Sequence, residues 1–255
     1  MTHRSAEEAL KEDVAVLGIA YGTAFHHCKQ ELWRVSANWD RYETLFGSQE
    51  RVAILNSSSG NFWYVIQGVL FEHVMLGICR LTDPAGSKTR QNLSVSRLLE
   101  VDPTSTKRGL ESRVTAASRK SEFARSWRDK RIAHNDLTQI TGAANLLAPA
   151  TGRKISAALV AIHDVLRWVQ GRYFNGDMYL LDLGDSDANV LLGALTRAKA
   201  LKDKERDDLA AGRFESLLTP IYRYLSDDYG KQRRYAGQDR RKQPRTYRGR
   251  LPLVT

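Results

Sequence analysis

The chain has 255 residues and carries a net charge of +10, long enough to bury one sizeable core without covalent staples. Its two cysteines, Cys28 and Cys79, lie in apolar stretches without C-x-x-C spacing, which excludes a disulfide framework or zinc ribbon and favours a reduced, cytoplasmic setting. Residues 229–255 hold nine Lys/Arg against one Asp, leaving the other 228 residues nearly neutral at +2; this excludes a body uniformly coated for nucleic acid.

In chain order, "MTHRSAEEALKEDVAV" lacks the basic-then-apolar order of a leader peptide. A helical pattern runs from Ala6 to Phe46, weakened at Gly18 and Gly22 and closed at Gly47. A second long helix is predicted from about Gln49 to Leu81, ended by Asp83-Pro84 and Gly86. Its apolar run Phe62 to Cys79 approaches the length of a membrane span but contains Gln67, Glu72 and His73. The expectation is therefore a buried helix and no membrane partner.

"NLSVSRLLE" predicts a short helix stopped by Asp102-Pro103, and Lys107 to Thr138 a third long one. Thr151 is a candidate cap for a helix whose seam is Ile155, Leu159, Ile162, Leu166, Val169 and Tyr173, spaced by fours and threes. "NGDMYLLDLGDSD" reads as a turn with a short extended piece, followed by helices at about Ala188 to Lys202 and Phe214 to Asp227. The basic end lacks apolar periodicity and is expected to be disordered. The predicted fold is all-α: a bundle of four to five main helices over 1–180, a helical extension over 181–228 and a tail over 229–255.

The stretch "RDKRIAHND", Arg128 to Asp136, gathers charges around His134. On a continuous α-helix, His134 is about 120° in azimuth and about 9 Å along the axis from Arg128, so one helix cannot close the pair. The helical neighbours of His134 are Lys130 and Arg131. Arg128 shares a face with the small stripe Ala117, Ser121, Ala124 and with Ile132, which directs it toward packing. Either an internal carboxylate or a second copy of the segment would satisfy it. The ordinary alternative is a solvated face trading ion pairs worth less than about 1 kcal/mol each.

The segment resembles the motif of HEPN-domain proteins, in which an Arg, a polar residue after it and a His four to six positions on form a ribonuclease motif; Arg128, Asp129 and His134 fill those positions. "ICRLTDPAG", "NLSVSRLL" and "KRIAHNDL" follow the order and rough spacing of the HEPN-like family associated with phage abortive infection, type U, over about residues 10–180. The resemblance implies a helical bundle, commonly dimeric, whose two motif copies meet in a cleft. It leaves room for Asp83 to support that cleft by pairing with an arginine.

Metal-free RNA cleavage by the 2′-hydroxyl needs a proton acceptor, a charge neutraliser at the phosphate and a proton donor. His134 suits the proton transfers, and Arg128 the phosphate oxygens. Asp129 or Asn135 would orient the imidazole or bind ribose, and Lys130 or Arg131 would hold flanking phosphates. The function expected is a metal-independent endoribonuclease of phage defence or toxin–antitoxin regulation. Its partners are RNA, a second copy of the chain and a possible antitoxin. The alternatives are a non-catalytic module of the same fold binding RNA or protein, and an adaptor without RNA contact.

Other candidates read as structural. His26-His27-Cys28 cannot converge on one metal, since adjacent helical residues diverge by about 100°, and no metal or cofactor is expected. His73, between Val69 and Leu76, is expected to be a hydrogen-bonded core histidine, and His163 a surface or interface residue. Arg80 and Asp83 are expected to cap a helix and pair with each other, and Asp185 and Asp187 to cap the next. Tyr235 and Tyr247 among the tail arginines are compatible with RNA contact. G-x-x-x-x-G-K-[ST] and G-x-S-x-G patterns are absent.

Overall fold

A computed structural model describes residues 5–87, 89, 91–103, 107–132, 147, 149–180 and 187–213. Among these the fold is all-α: α1 Ala6–Leu17, α2 Ile19–Phe46, α3 Gln49–Thr82, α4 Val95–Val101, α5 Arg108–Lys120, α6 Glu122–Trp127, α7 Gly152–Tyr173 and α8 Asp187–Ala210, with a π-helical turn at Arg128–Ile132. No strand occurs among the described residues, only an isolated bridge between Gly86 and Gln91. The chain divides after Leu192 into two compact units. The described part of the second is the remainder of α8 and its end, laced by ion pairs such as Lys199 to Asp203 at 2.5 Å.

Local chemistry sets the helix ends. Ser5 and Glu8 form a reciprocal capping box on α1, Oγ accepting from the Glu8 amide at 3.2 Å and Glu8 Oε2 from the Ser5 amide at 2.8 Å. The single helical pattern expected from Ala6 to Phe46 is two helices. Gly18 has φ 81°, which residues with a Cβ rarely adopt, and it reverses the chain so that α1 lies back on α2. Gly22 permits that contact, since a Cβ there would stand 2.6 Å from the Asp13 carbonyl oxygen.

Ser48 caps α3 by accepting from the Arg51 amide, while Arg51 Nη1 donates to the Thr44 carbonyl at 3.0 Å. The α2–α3 hairpin is thereby closed at both helix ends. α3 is interrupted at Ser59 (φ −161°, ψ 85°), beside Ser57 and Ser58, whose hydroxyls donate to the carbonyls of Ile54 and Leu55 and compete with helical bonding. Thr151 caps α7 as expected, accepting from the Lys154 amide.

The core is the meeting of α2, α3 and α7, with α5 lying along α7. Phe25, Leu32 and Val35 of α2, Val74, Met75, Ile78 and Leu81 of α3, and Leu98 and Leu110 are all buried. The α7 seam is buried throughout Ile155, Leu159, Ile162, Leu166 and Val169; each such aliphatic side chain stabilises by about 1.5–3 kcal/mol. α2 and α3 approach closely at Gly77, where any Cβ would press into the Val35 methyls.

Burial of α3, expected to be a buried helix, is partial. Its C-terminal third is core, but Phe62, Tyr64, Val65 and Val69 are exposed. By length and composition α3 is apolar enough to cross a membrane, with one third of its most apolar window buried. His73, on that seam, is half-buried, and among the described residues its Nε2 has no hydrogen-bond partner, where a hydrogen-bonded core histidine was expected.

Candidate functional site

The C-terminus of α3 presents Asp83. Pro84 prevents the helix from continuing, and the loop beyond is tied down by Asn92, whose Nδ2 donates to the Pro84 carbonyl and whose amide donates to the Ala85 carbonyl, each at 2.9 Å. Asp83 therefore stands on a fixed corner, its side chain 25% exposed.

The opposing element is not the unbroken helix expected from Lys107 to Thr138. α5 ends at Ser121, whose dihedrals (φ −100°, ψ 1°) leave the helical region; α6 follows for six residues, and Arg128–Ile132 is π-helical. The stripe Ala117, Ser121, Ala124 is fully buried, so this segment is seated by small residues that let backbones approach. The π turn is wider than 3.6 residues per turn. The azimuth worked out for an ideal α-helix thus does not hold over Arg128–Ile132.

Arg128 emerges from this stripe with its guanidinium bound on two sides. Nη1 donates to Asp83 Oδ1 at 2.9 Å and to Oδ2 at 3.0 Å, and Nε donates to Asp129 Oδ1 at 2.8 Å. The Asp129 bond foremost, and then Asp83, make the guanidinium hold its proton more tightly than a free arginine, against the opposing effect of burial. Of the two arrangements the sequence left open, an internal carboxylate is present in the single chain. The expected Arg80–Asp83 pair is not formed: Arg80 turns to Glu31 on α2 (Nη2 to Oε1, 2.8 Å), leaving Asp83 to Arg128. Glu31 also pairs with Arg34.

Lys130 and Arg131 are exposed. Arg131 stands 5.7 Å from the centre of the Trp127 ring, a cation–π separation, and Trp127 packs edge-on against Phe71 at 5.3 Å. His134 and Asn135 lie outside the described residues, as do Asp185, the predicted helix from Phe214 and the basic tail. Asp187 begins α8 and pairs with Arg41 at 3.1 Å. His163 is half-buried, its Nε2 2.9 Å from the Met178 carbonyl oxygen.

Two neighbours of the site escaped the sequence reading. Arg125 clamps the junction, Nη1 donating to Thr82 Oγ1 at 3.1 Å and Nη2 to the Ser118 carbonyl at 2.6 Å. Its position one helical turn before Arg128, on nearly the same face, was the available signal. Cys79 lies beneath Arg128; burial pushes its thiol up to about 11, despite the lowering pull of Arg128, so it stays protonated near neutrality and is no nucleophile. What the arrangement offers is a fixed, partly exposed cation at the mouth of "RDKRIAHND".

Comparison with known proteins gives one result: the family model HEPN_AbiU2, described as AbiU2, matches residues 20–191. The chain belongs to this HEPN-type family linked to abortive infection. No curated protein and no solved structure matches it.

Proposed function

From that family and the setting of Arg128, we propose that the protein is an endoribonuclease of HEPN type acting in phage defence or toxin–antitoxin regulation. The observation that carries the reading is the seat of Arg128: a guanidinium anchored by Asp83 and Asp129, 27% exposed, six residues ahead of His134. A cation held in place by carboxylates does not need to be ordered when a phosphate arrives, and this preorganisation is what electrostatic catalysis requires. RNA and a second copy of the chain are the partners the proposal needs, the second copy to supply the other half of the acid–base chemistry.

In the reaction, His134 of one copy takes the 2′-hydroxyl proton and O2′ attacks the adjacent phosphorus. The P–O5′ bond breaks, and a protonated His134, that of the other copy, donates to the leaving O5′. The products are a 2′,3′-cyclic phosphate and a 5′-hydroxyl. Arg128 neutralises the charge that grows on the non-bridging oxygens. Asn135 serves to orient the imidazole, and Lys130 and Arg131 to hold flanking phosphates.

The competing reading, a non-catalytic RNA- or protein-binding module, is favoured by the same ion pairs: Nε and Nη1 of Arg128 are already engaged, as a purely structural clamp would have them. Incubation of purified protein with 5′-labelled RNA in EDTA separates the two. Cleavage with cyclic-phosphate ends is expected from the natural chain, with a loss of about 10²-fold or more in His134→Ala and in Arg128→Ala. Full cleavage by His134→Ala would remove the proposal.

A further inference from the structure

Away from this site, Asp13, His26 and Lys29 form a buried polar cluster that the proposed reaction does not use. Its origin is local. Gly18 folds α1 back, Gly22 lets the Asp13 backbone touch α2, and one turn on from Gly22 the His26 ring meets the Asp13 carboxylate, Nδ1 to Oδ2 at 2.8 Å. Lys29 Nζ donates to the other oxygen at 2.8 Å and lies 4.5 Å over the Phe25 ring. Both His26 and Asp13 side chains are only 5% exposed, so the pair is a built feature and not a surface accident.

The ionised Asp13 carboxylate accepts from Nδ1–H of His26, and in the neutral imidazole with that tautomer the ring's lone pair is on Nε2. No hydrogen bond of Nε2 occurs among the described residues, and Nε2 is not among the sealed, unpartnered atoms. It has an opening to face. His26 lines a cavity of about 650 Å³ together with Leu32, Trp33, Met178 and Tyr179, a size that suits a small molecule. Trp33 and Tyr179, the aromatic residues of that lining, are 57% and 82% exposed. Lys29 is held by Asp13, and Arg34 shares Glu31 with Arg80; the wall of Leu32, Trp33, Met178 and Tyr179 is apolar, which favours an uncharged ligand over an anion.

We infer that this cavity is a binding site for an uncharged, flat aromatic molecule bearing one N–H or O–H donor, which donates to Nε2 of His26 while its rings lie against Trp33 and Tyr179. Asp13 is then a positioning residue: it fixes the imidazole so that the acceptor faces the ligand. The site is independent of Arg128 and stands whether or not the chain cuts RNA.

Indole and 1-methylindole are the probes, differing only in the N–H donor. Titration of the full chain by saturation-transfer and chemical-shift NMR should give indole a millimolar or tighter Kd. 1-Methylindole should bind at least about fivefold more weakly, because a buried acceptor is left unmet. In His26→Phe the two probes should bind alike. Should that variant not fold, Trp33→Ala, at an exposed position, should weaken both probes together. Equal binding of the two probes by the natural chain would overturn the inference, as would no binding of indole. Binding of a short tryptophan-bearing peptide in the absence of indole binding would overturn it in favour of a protein partner.

Discussion

Removing Asp83 should cost more than removing Asp129, although Asp129 makes the shorter bond to Arg128. Asp83 receives Nη1 at 2.9 and 3.0 Å with both side chains about three-quarters buried; bonds of this kind to charged groups are worth about 1.5–3 kcal/mol. Asp129 receives Nε at 2.8 Å but is 61% exposed, where water and salt reduce an ion pair to less than about 1 kcal/mol. A double-mutant cycle with Arg128→Ala separates the two. Urea denaturation should return a coupling of about 1–2 kcal/mol for Asp83 with Arg128, and below about 0.7 kcal/mol for Asp129 with Arg128, the latter shrinking further in 1 M NaCl. A larger coupling to Asp129 would refute the reasoning, because shortness of the bond would then outweigh burial.

Gly77→Ala should destabilise by about 1–3 kcal/mol through overpacking against Val35, and Val35→Ala in the same chain should recover part of the loss, as thermal denaturation would read. Gly22→Ala should show no such rescue from side-chain truncation, since its Cβ meets backbone atoms of Asp13 and Val14. Glu43 has its carboxyl raised by burial and then by Asp40. Its ionisation therefore costs the fold something above its folded pKa and nothing below its unfolded one. Glu43→Gln should raise Tm by about 1 °C at pH 7, a figure discounted for its exposure, and leave it unchanged at pH 3; an equal gain at both would refute the cause. Deletion of residues 229–255 removes nine cations and should weaken RNA binding and flatten its salt slope in a filter-binding series, with an unchanged slope as the contrary result.

How much was legible depended on how far apart the deciding residues stand. The α7 seam from Ile155 to Val169 was readable from spacing alone, because a period near 3.6 is a property of the chain itself. The stops at Gly47, Pro84 and Asp102-Pro103 were readable for the same reason, as steric limits on single residues. The small stripe Ala117, Ser121, Ala124 likewise announced a buried face. Gly18 was visible as a weak point, but propensity does not say whether a glycine is tolerated in a helix or turns it; the positive φ settles it only once α1 is packed on α2.

The partners of the charged groups were another matter. Arg80 and Asp83 are neighbours in sequence and were expected to pair, yet Arg80 binds Glu31, 49 residues away, and Asp83 binds Arg128, 45 residues away. Asp13 and His26 face each other because a turn at Gly18 sets two helices side by side. By itself, then, the sequence determined that the chain is helical, the stops at Gly47, Pro84 and Asp102-Pro103 and the apolar seam of α7, all consequences of local sterics and periodicity; the breaks at Gly18, Ser59 and Ser121 came with the packing. Which cation each carboxylate holds, and so the fixed posture of Arg128, was decided by the tertiary structure, because ion-pair choice depends on distances of a few ångströms that exist only after the helices have packed.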